Sequence, residues 1–161
     1  PYTTLSDLRV MPGDRAESWA APAAAEEVAR PAFENVTVTT DASSRTWRAM
    51  LRTNGSYRTT LRIPREAAPR RASVQGVEAA FSETGEGGDF VNLACQGRAC
   101  DGVEIVVVTE ANGADAPWYL LGLYPVTTTE ASRAVIAARG PAGTPIQFGD
   151  AVATVDSVPT R

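Results

Sequence analysis

The sequence predicts a mostly β chain, an antiparallel β-sandwich of about eight strands with one or two short helices, on three observations. β-Branched and aromatic residues recur with period two between residues 35 and 158. These runs are short and are separated by Gly, Pro, Asn and Asp at turn spacing. One segment, 127–139, joins a capping box to an apolar helical side and a Gly-Pro stop. At 161 residues one domain is expected, with residues 1–34 as an N-terminal strand and Ala-rich connector and 35–161 as the sandwich. A chain of this size buries roughly 70% of its unfolded surface, so it needs neither metal nor disulfide to fold.

Residues 2–5 and 8–10 read as a short strand, closed by the turn Pro12-Gly13-Asp14 and followed by Arg15 to Trp19. Residues 20–30 are rich in Ala and Glu and lie between Pro22 and Pro31, which suits either a short helix or a loose connector. From Asn35, Val36 and Val38 alternate with threonines up to Asp41, and Ala42-Ser43-Ser44 makes a turn. The next strand places Trp47, Ala49 and Leu51 on one face. After Asn54-Gly55, another places Tyr57, Thr59, Leu61 and Ile63 on one face and Arg58, Thr60 and Arg62 on the other. A two-residue turn between these two strands would set Leu51 opposite Arg58, with charge on the core face. A three-residue loop over 54–56 restores Leu51 to Thr59 and Trp47 to Ile63. It also sets Arg48, Arg52, Arg58 and Arg62 together on the opposite face, a like-charged ladder that needs acidic neighbours, water or a bound anion.

Pro64 and Pro69 bracket an arginine-rich turn before a strand over 72–81, and the acidic loop 83–89 follows. The chain is organised around the next stretch. Phe90, Asn92 and Ala94 lead to Cys95, a turn over 96–99 and Cys100, and then to Val103-Glu104-Ile105-Val106-Val107-Val108. That last run, apolar at odd and even positions, reads as a central strand covered on both faces, since six residues are too few for a helix. A hairpin closed by the two cysteines is the simplest pairing. Asn112-Gly113 marks a further turn, and residues 118–124 a further apolar strand. Thr127-Thr128-Thr129-Glu130 matches a capping box with Glu130 reaching back to Thr127. The helix behind it, 131–139, carries Ala131, Ala134, Val135 and Ala138 on one side and stops at Gly140-Pro141. Gly149-Asp150 opens a last strand in which Val152, Thr154, Asp156 and Val158 share a face.

Several kinds of chemistry are excluded by composition. All 15 basic residues are Arg, and there is neither Lys nor His. Ser-His and Cys-His nucleophile pairs, His-ligated zinc and Schiff-base lysines therefore each lack a member. A net charge of −4 without long single-sign blocks argues against nucleic acid as a partner. No apolar run reaches the roughly 20 residues of a membrane span, and no signal peptide is visible. The chain opens on Pro1, as an excised piece of a longer polypeptide would.

The remaining candidates each have a plain alternative. Cys95 and Cys100 form a disulfide if the domain is exported and two small buried thiols in a reducing compartment; half a metal site is the lesser option, since no second pair completes it. Glu83, Glu86 and Asp89 offer calcium ligands or a solvated acidic turn. Asp101 and Glu104 offer a carboxylate pair for glycoside cleavage or two structural acids. Alternation puts Trp47 and Trp118 in the core and leaves Trp19 for an interface. The ladder Arg48, Arg52, Arg58 and Arg62 is a candidate patch for anions or anionic lipid head groups, or a neutralised sheet face.

One resemblance rests on Cys95-Gln96-Gly97-Arg98-Ala99-Cys100-Asp101-Gly102, on Leu120-Leu121-Gly122-Leu123-Tyr124-Pro125, and on Ala137-Ala138-Arg139 followed by Pro145, Gln147 and Gly149-Asp150. These residues resemble the C-terminal domain of membrane-bound, zinc-dependent aminopeptidases similar to endoplasmic reticulum metallopeptidase 1. The likeness extends over residues 5–158, and its specific part is the stretch from Cys95 to Gly102. In bacterial relatives of that type a peptidase domain precedes several membrane spans, and a soluble β-rich domain follows outside the cytoplasm. The resemblance implies zinc and exopeptidase chemistry for the parent protein, with His, Asp and Glu ligands in its peptidase domain and none in this chain. The expectation is a non-catalytic periplasmic accessory domain, tethered to the membrane and partnered by the peptidase and membrane-spanning parts of the same polypeptide. The alternative is a free-standing β-sandwich module that binds a glycan or an anionic ligand.

Overall fold

The computed structural model describes residues 3–5, 18–20, 26–83, 88–141 and 151–160. Its strands are β1 (Thr3–Leu5), β2 (Ser18–Ala20), β3 (Ala32–Thr40), β4 (Ser44–Arg52), β5 (Arg58–Pro64), β6 (Pro69–Val74), β7 (Val77–Ala79), β8 (Ser82–Glu83), β9 (Phe90–Gln96), β10 (Glu104–Glu110), β11 (Trp118–Pro125) and β12 (Ala151–Val158), with one helix, α1 (Glu130–Arg139). β1 and β2 pair with each other. The other ten strands form two five-stranded antiparallel sheets, in the orders β3-β4-β10-β6-β7 and β12-β11-β5-β9-β8. Between them lies one core, built from Trp47, Ala49 and Leu51 of β4, Ile105 and Val107 of β10, Leu61 and Ile63 of β5, Val91 and Leu93 of β9, and Trp118 and Leu120 of β11. The chain is thus the predicted sandwich.

The apolar run after the cysteines is central, as its composition predicts: β10 is the middle strand of its sheet. Ile105 and Val107 fill the core, while Val106 and Val108 turn to the outer face, where Arg48, Ser73 and Arg71 stand beside them in register. Trp47 ties the two layers. Its ring lies 5.6 Å from that of Trp118 and 4.8 Å from Phe33, and its indole N–H donates to the Pro159 carbonyl at 3.0 Å.

Two expected hairpins do not form. β4 pairs with β3 and β10, and β5 pairs with β9 and β11, so residues 53–57 cross from one sheet to the other. Likewise β9 and β10 lie in opposite sheets, and the cysteine turn is a crossover. Asn54-Gly55 is a tight turn, with positive φ at both residues and Ser56 N–H bonded to the Thr53 carbonyl at 3.0 Å. The strands beside it still part, because each finds another partner at once: Asp101 accepts from the Thr53 N–H at 2.8 Å, and the Tyr57 N–H donates to Leu123 of β11 at 2.9 Å. Parity of apolar residues cannot separate the two arrangements, since strands that face each other across a core alternate in the same way as neighbours in a sheet.

Smaller corrections follow the same logic. The strand expected over 72–81 folds back at Gln75-Gly76, both at positive φ, into the hairpin β6–β7. β3 starts at Ala32, ahead of the expected Asn35, with a bulge between Glu34 and Thr37. Residues 26–30 are neither helix nor strand. The 8–10 strand, the Pro12-Gly13-Asp14 turn, residues 21–25, Glu86 and Pro145 to Asp150 lie outside the described residues.

Residues 26–31 act as a strap. The Glu26 carboxylate accepts from the N–H groups of Glu130 and Ala131, each at 2.7 Å, which holds its carboxyl below the ordinary range. Arg30 bonds Asp156 at 2.6 Å, and buried Pro31 packs where a Cβ on Gly122 would stand. The cap of α1 therefore lies two residues beyond the expected Thr127, and the helix opens at Glu130, one residue ahead of the expected 131. Its N-cap is Thr129, whose hydroxyl oxygen accepts from Ser132 N–H at 3.1 Å, and Glu26 takes the carboxylate role expected of Glu130. Of the expected apolar side, Ala131 is half-buried, but Ala134, Val135 and Ala138 are exposed.

Candidate functional site

The crossovers 53–57 and 97–102 meet at one end of the sandwich, and this end carries Cys95, Cys100 and Asp101 of the sequence-predicted site residues. Cys95, on β9, and Cys100, in the 3-10 turn Arg98–Cys100, are bonded to each other, with Cα atoms 5.9 Å apart. The expectation of a disulfide is met, though its bond clamps a crossover and not a hairpin. Gly97, at φ 97, turns the chain so that its N–H donates to the Tyr57 carbonyl at 2.9 Å and stitches the two crossovers together. Gly102 N–H donates to the Leu51 carbonyl at 2.8 Å, returning the chain to the first sheet.

Asp101 and Glu104 are not poised as an acid pair. Asp101 Oδ1 accepts from the Thr53 N–H at 2.8 Å and its hydroxyl at 3.3 Å, and Oδ2 lies 4.0 Å from Arg52. Glu104 pairs with Arg48 at 2.7 Å. Each of the two carboxylates thus has a partner of its own within the fold.

The arginine ladder divides. Arg48 and Arg52 project from the outer face of the first sheet and Arg58 and Arg62 from the outer face of the second, so the four never share a surface; the cause is the crossover that replaces the β4–β5 hairpin. Arg48 is matched by Glu104, and Arg52 by Glu34 at 2.9 Å. The Glu34 carboxylate pushes the Arg52 pKa up, keeping it firmly charged. With both partners of each pair substantially exposed, solvent screens these bridges and they add little to stability.

Between the crossovers lies a cleft of about 500 Å³, with Asn54, Tyr57, Gly97, Arg98 and Asp101 in its wall. Tyr57, expected on the core face, is 36% exposed because β5 begins only at Arg58. Arg98 is exposed and, among the described residues, makes no ion pair. Neither residue stands out in the sequence as a site residue. The position of Arg98 between the cysteines was the available signal.

At the opposite end of β5 a second cleft of 510 Å³ is floored by Pro64, Phe90, Pro117 and Tyr119, with the Phe90 and Tyr119 rings 6.0 Å apart. Glu66 and Asp89 stand in its wall. Of the calcium candidates, Glu83 is bound by Arg65 at 2.6 Å, while Asp89 is exposed. No group of three or more His, Cys, Asp or Glu able to hold a metal occurs among the described residues. Trp47 and Trp118 are core residues, at 1% and 4% exposure. Trp19 lies in β2.

No protein family, curated protein or solved structure matches the chain.

Proposed function

We propose that the chain is a non-catalytic, extracytoplasmic accessory domain of a membrane-anchored zinc aminopeptidase, which supports the catalytic part or guides access of substrate to it. The observation that carries this reading is the use made of the Cys95–Gly102 motif, from which the resemblance comes. Five of its eight residues have a task in the fold: the cysteines clamp the crossover, Gly97 and Gly102 turn it, and Asp101 anchors Thr53. A motif spent on architecture belongs to a shared scaffold more readily than to a shared reaction. An oxidised cysteine pair also suits a compartment outside the cytoplasm. Zinc belongs to the parent peptidase domain in this reading, and the partners are the peptidase and membrane-spanning parts of the same polypeptide. Anionic lipid is no longer a favoured partner, since the four arginines that suggested it point to opposite sides.

The coding sequence around residues 1–161 tests the proposal. A peptidase domain with His, Asp and Glu zinc ligands, followed by several apolar spans, is expected upstream. An ordinary signal peptide directly before Pro1 would overturn the accessory reading and favour the second one, a binding module of sandwich type. The clefts at the two ends of β5 are the observation behind that second reading.

A further inference from the structure

We infer that the cleft between the two crossovers is a binding site for a carboxylate carried next to a ring or other apolar group, with Arg98 as the anion-binding residue and Tyr57 as the packing surface. The inference rests on the cleft itself and not on the peptidase reading.

Charge comes first. Two charged side chains, Arg98 and Asp101, stand in the wall. Asp101 already accepts from two Thr53 donors and has Arg52 at 4.0 Å, so its carboxylate is engaged within the fold. The guanidinium of Arg98 has no carboxylate partner among the described residues. The cleft therefore presents, among the described residues, a guanidinium whose N–H groups are open to an anion, beside a carboxylate already engaged by Thr53. A planar guanidinium meets a carboxylate through two parallel N–H···O bonds, a geometry that an ammonium or a neutral amide cannot supply.

Rigidity comes second. Arg98 sits inside a ring closed by the Cys95–Cys100 bond, across a sequence separation of 5. The neighbouring loop is fixed by the Ser56–Thr53 backbone bond at 3.0 Å, by Ser56 Oγ on the Arg58 carbonyl at 2.7 Å, and by Asn54 Nδ2 on the Arg30 carbonyl at 2.7 Å. Gly97 N–H, bonded to Tyr57, joins the two loops. Little loop freedom is left to lose on binding, which is the condition for affinity from a few contacts. Shape is the third element. A volume of 500 Å³ takes a small ligand or the end of a chain, and Tyr57, with 36% of its surface exposed, provides an aromatic face for the group that bears the carboxylate.

The test is a titration of the full chain followed by the backbone amide signals of Asn54, Gly55, Gly97 and Arg98. N-acetylphenylalanine and glucuronate are the acidic probes, and N-acetylphenylalanine amide and glucose are their neutral counterparts. Saturable shifts at those amides with an acid and not with its neutral counterpart are expected. The stronger of the two acids identifies the source, a peptide terminus or an acidic sugar. Arg98→Gln should weaken the acid by about tenfold, the loss of one bidentate charged contact. Arg71→Gln, which removes an equal charge from the outer face of the first sheet, should leave it unchanged. Tyr57→Ala should abolish the preference for N-acetylphenylalanine over N-acetylglycine. Equal shifts with acids and neutral probes, equal weakening by Arg98→Gln and Arg71→Gln, or no saturable shift with either acid would each overturn the inference. Both arginines are exposed, so neither variant endangers the fold.

Discussion

Asp41 shows how much one exposed side chain can organise. Its carboxylate accepts from the N–H of Ser43 at 2.8 Å and of Ser44 at 2.7 Å and from the Ser44 hydroxyl at 2.8 Å, closing the β3–β4 turn. These donors, the Ser43 amide foremost, hold its pKa down at about 2. A depressed carboxyl contributes stability that is fully present above its ordinary value, near 4, and is lost as pH falls through the folded one. The carboxyl carbon of Asp41 should accordingly titrate near 2, and the pH dependence of stability between about 4 and 2 should shrink in Asp41→Asn. An ordinary midpoint near 4 would show that the turn does not hold the carboxylate. Glycines supply a second prediction at this scale. A Cβ on Gly113 would stand 2.2 Å from the backbone oxygen of Ala67, whereas one on Gly122 would meet the Pro31 ring at 2.8 Å and the Thr154 hydroxyl at 2.9 Å. Backbone yields less than side chains, so Gly113→Ala should destabilise more than Gly122→Ala, with the latter near the usual overpacking cost of about 1–3 kcal/mol. Chemical denaturation of the two variants gives the order. Asn112-Gly113 reads in the sequence as a turn, and nothing local tells that its glycine is needed for close approach and not for a positive φ.

Among the elements, the disulfide crossover is the one with a separable energy. Removing the bond with Cys95→Ser and Cys100→Ser should cost about 2 kcal/mol, the loop-closure value for so short a ring. A larger loss would mean that the Cys100 side chain, 3% exposed and part of the core, contributes through packing as well. Comparing the oxidised protein, its reduced form and the double variant by denaturation separates the two contributions. The strands themselves were largely legible. Trp47, Ala49, Leu51, Leu61 and Ile63, placed on the core face by alternation alone, are all buried at 2% or less. Their partners were not legible, because the same alternation serves a hairpin and a crossover. The arginine ladder failed for that reason: each arginine was assigned to the correct face of its own strand, and the two strands lie in opposite sheets. The strap over residues 26–31 was hidden differently. Alanine and glutamate favour helix locally, but Glu26 bonds the start of α1, and Arg30 bonds β12, contacts more than a hundred positions away in sequence.

On the scale of the whole molecule, the strand order places β10 between two hairpins, β3–β4 and β6–β7, which touch each other in that sheet only through it. In the second sheet β5 is likewise flanked by β9 and β11, strands that come later in the chain. Until residues 104–110 are in place, the first sheet exists as two separate ribbons with bare inner edges. Assembly must therefore wait for distant chain, a topology associated with folding in milliseconds to seconds. Refolding with the disulfide intact should show one such phase, and amide exchange should protect β4, β6 and β10 as a single unit; protection of β3–β4 without β10 would contradict this. The insertion of β10 is also a matter of exposure in time. A nascent chain that has emerged only as far as the cysteines presents the edges of β4 and β6, a surface suited to pairing with other chains, and the keystone strand that covers it is the next stretch to be made.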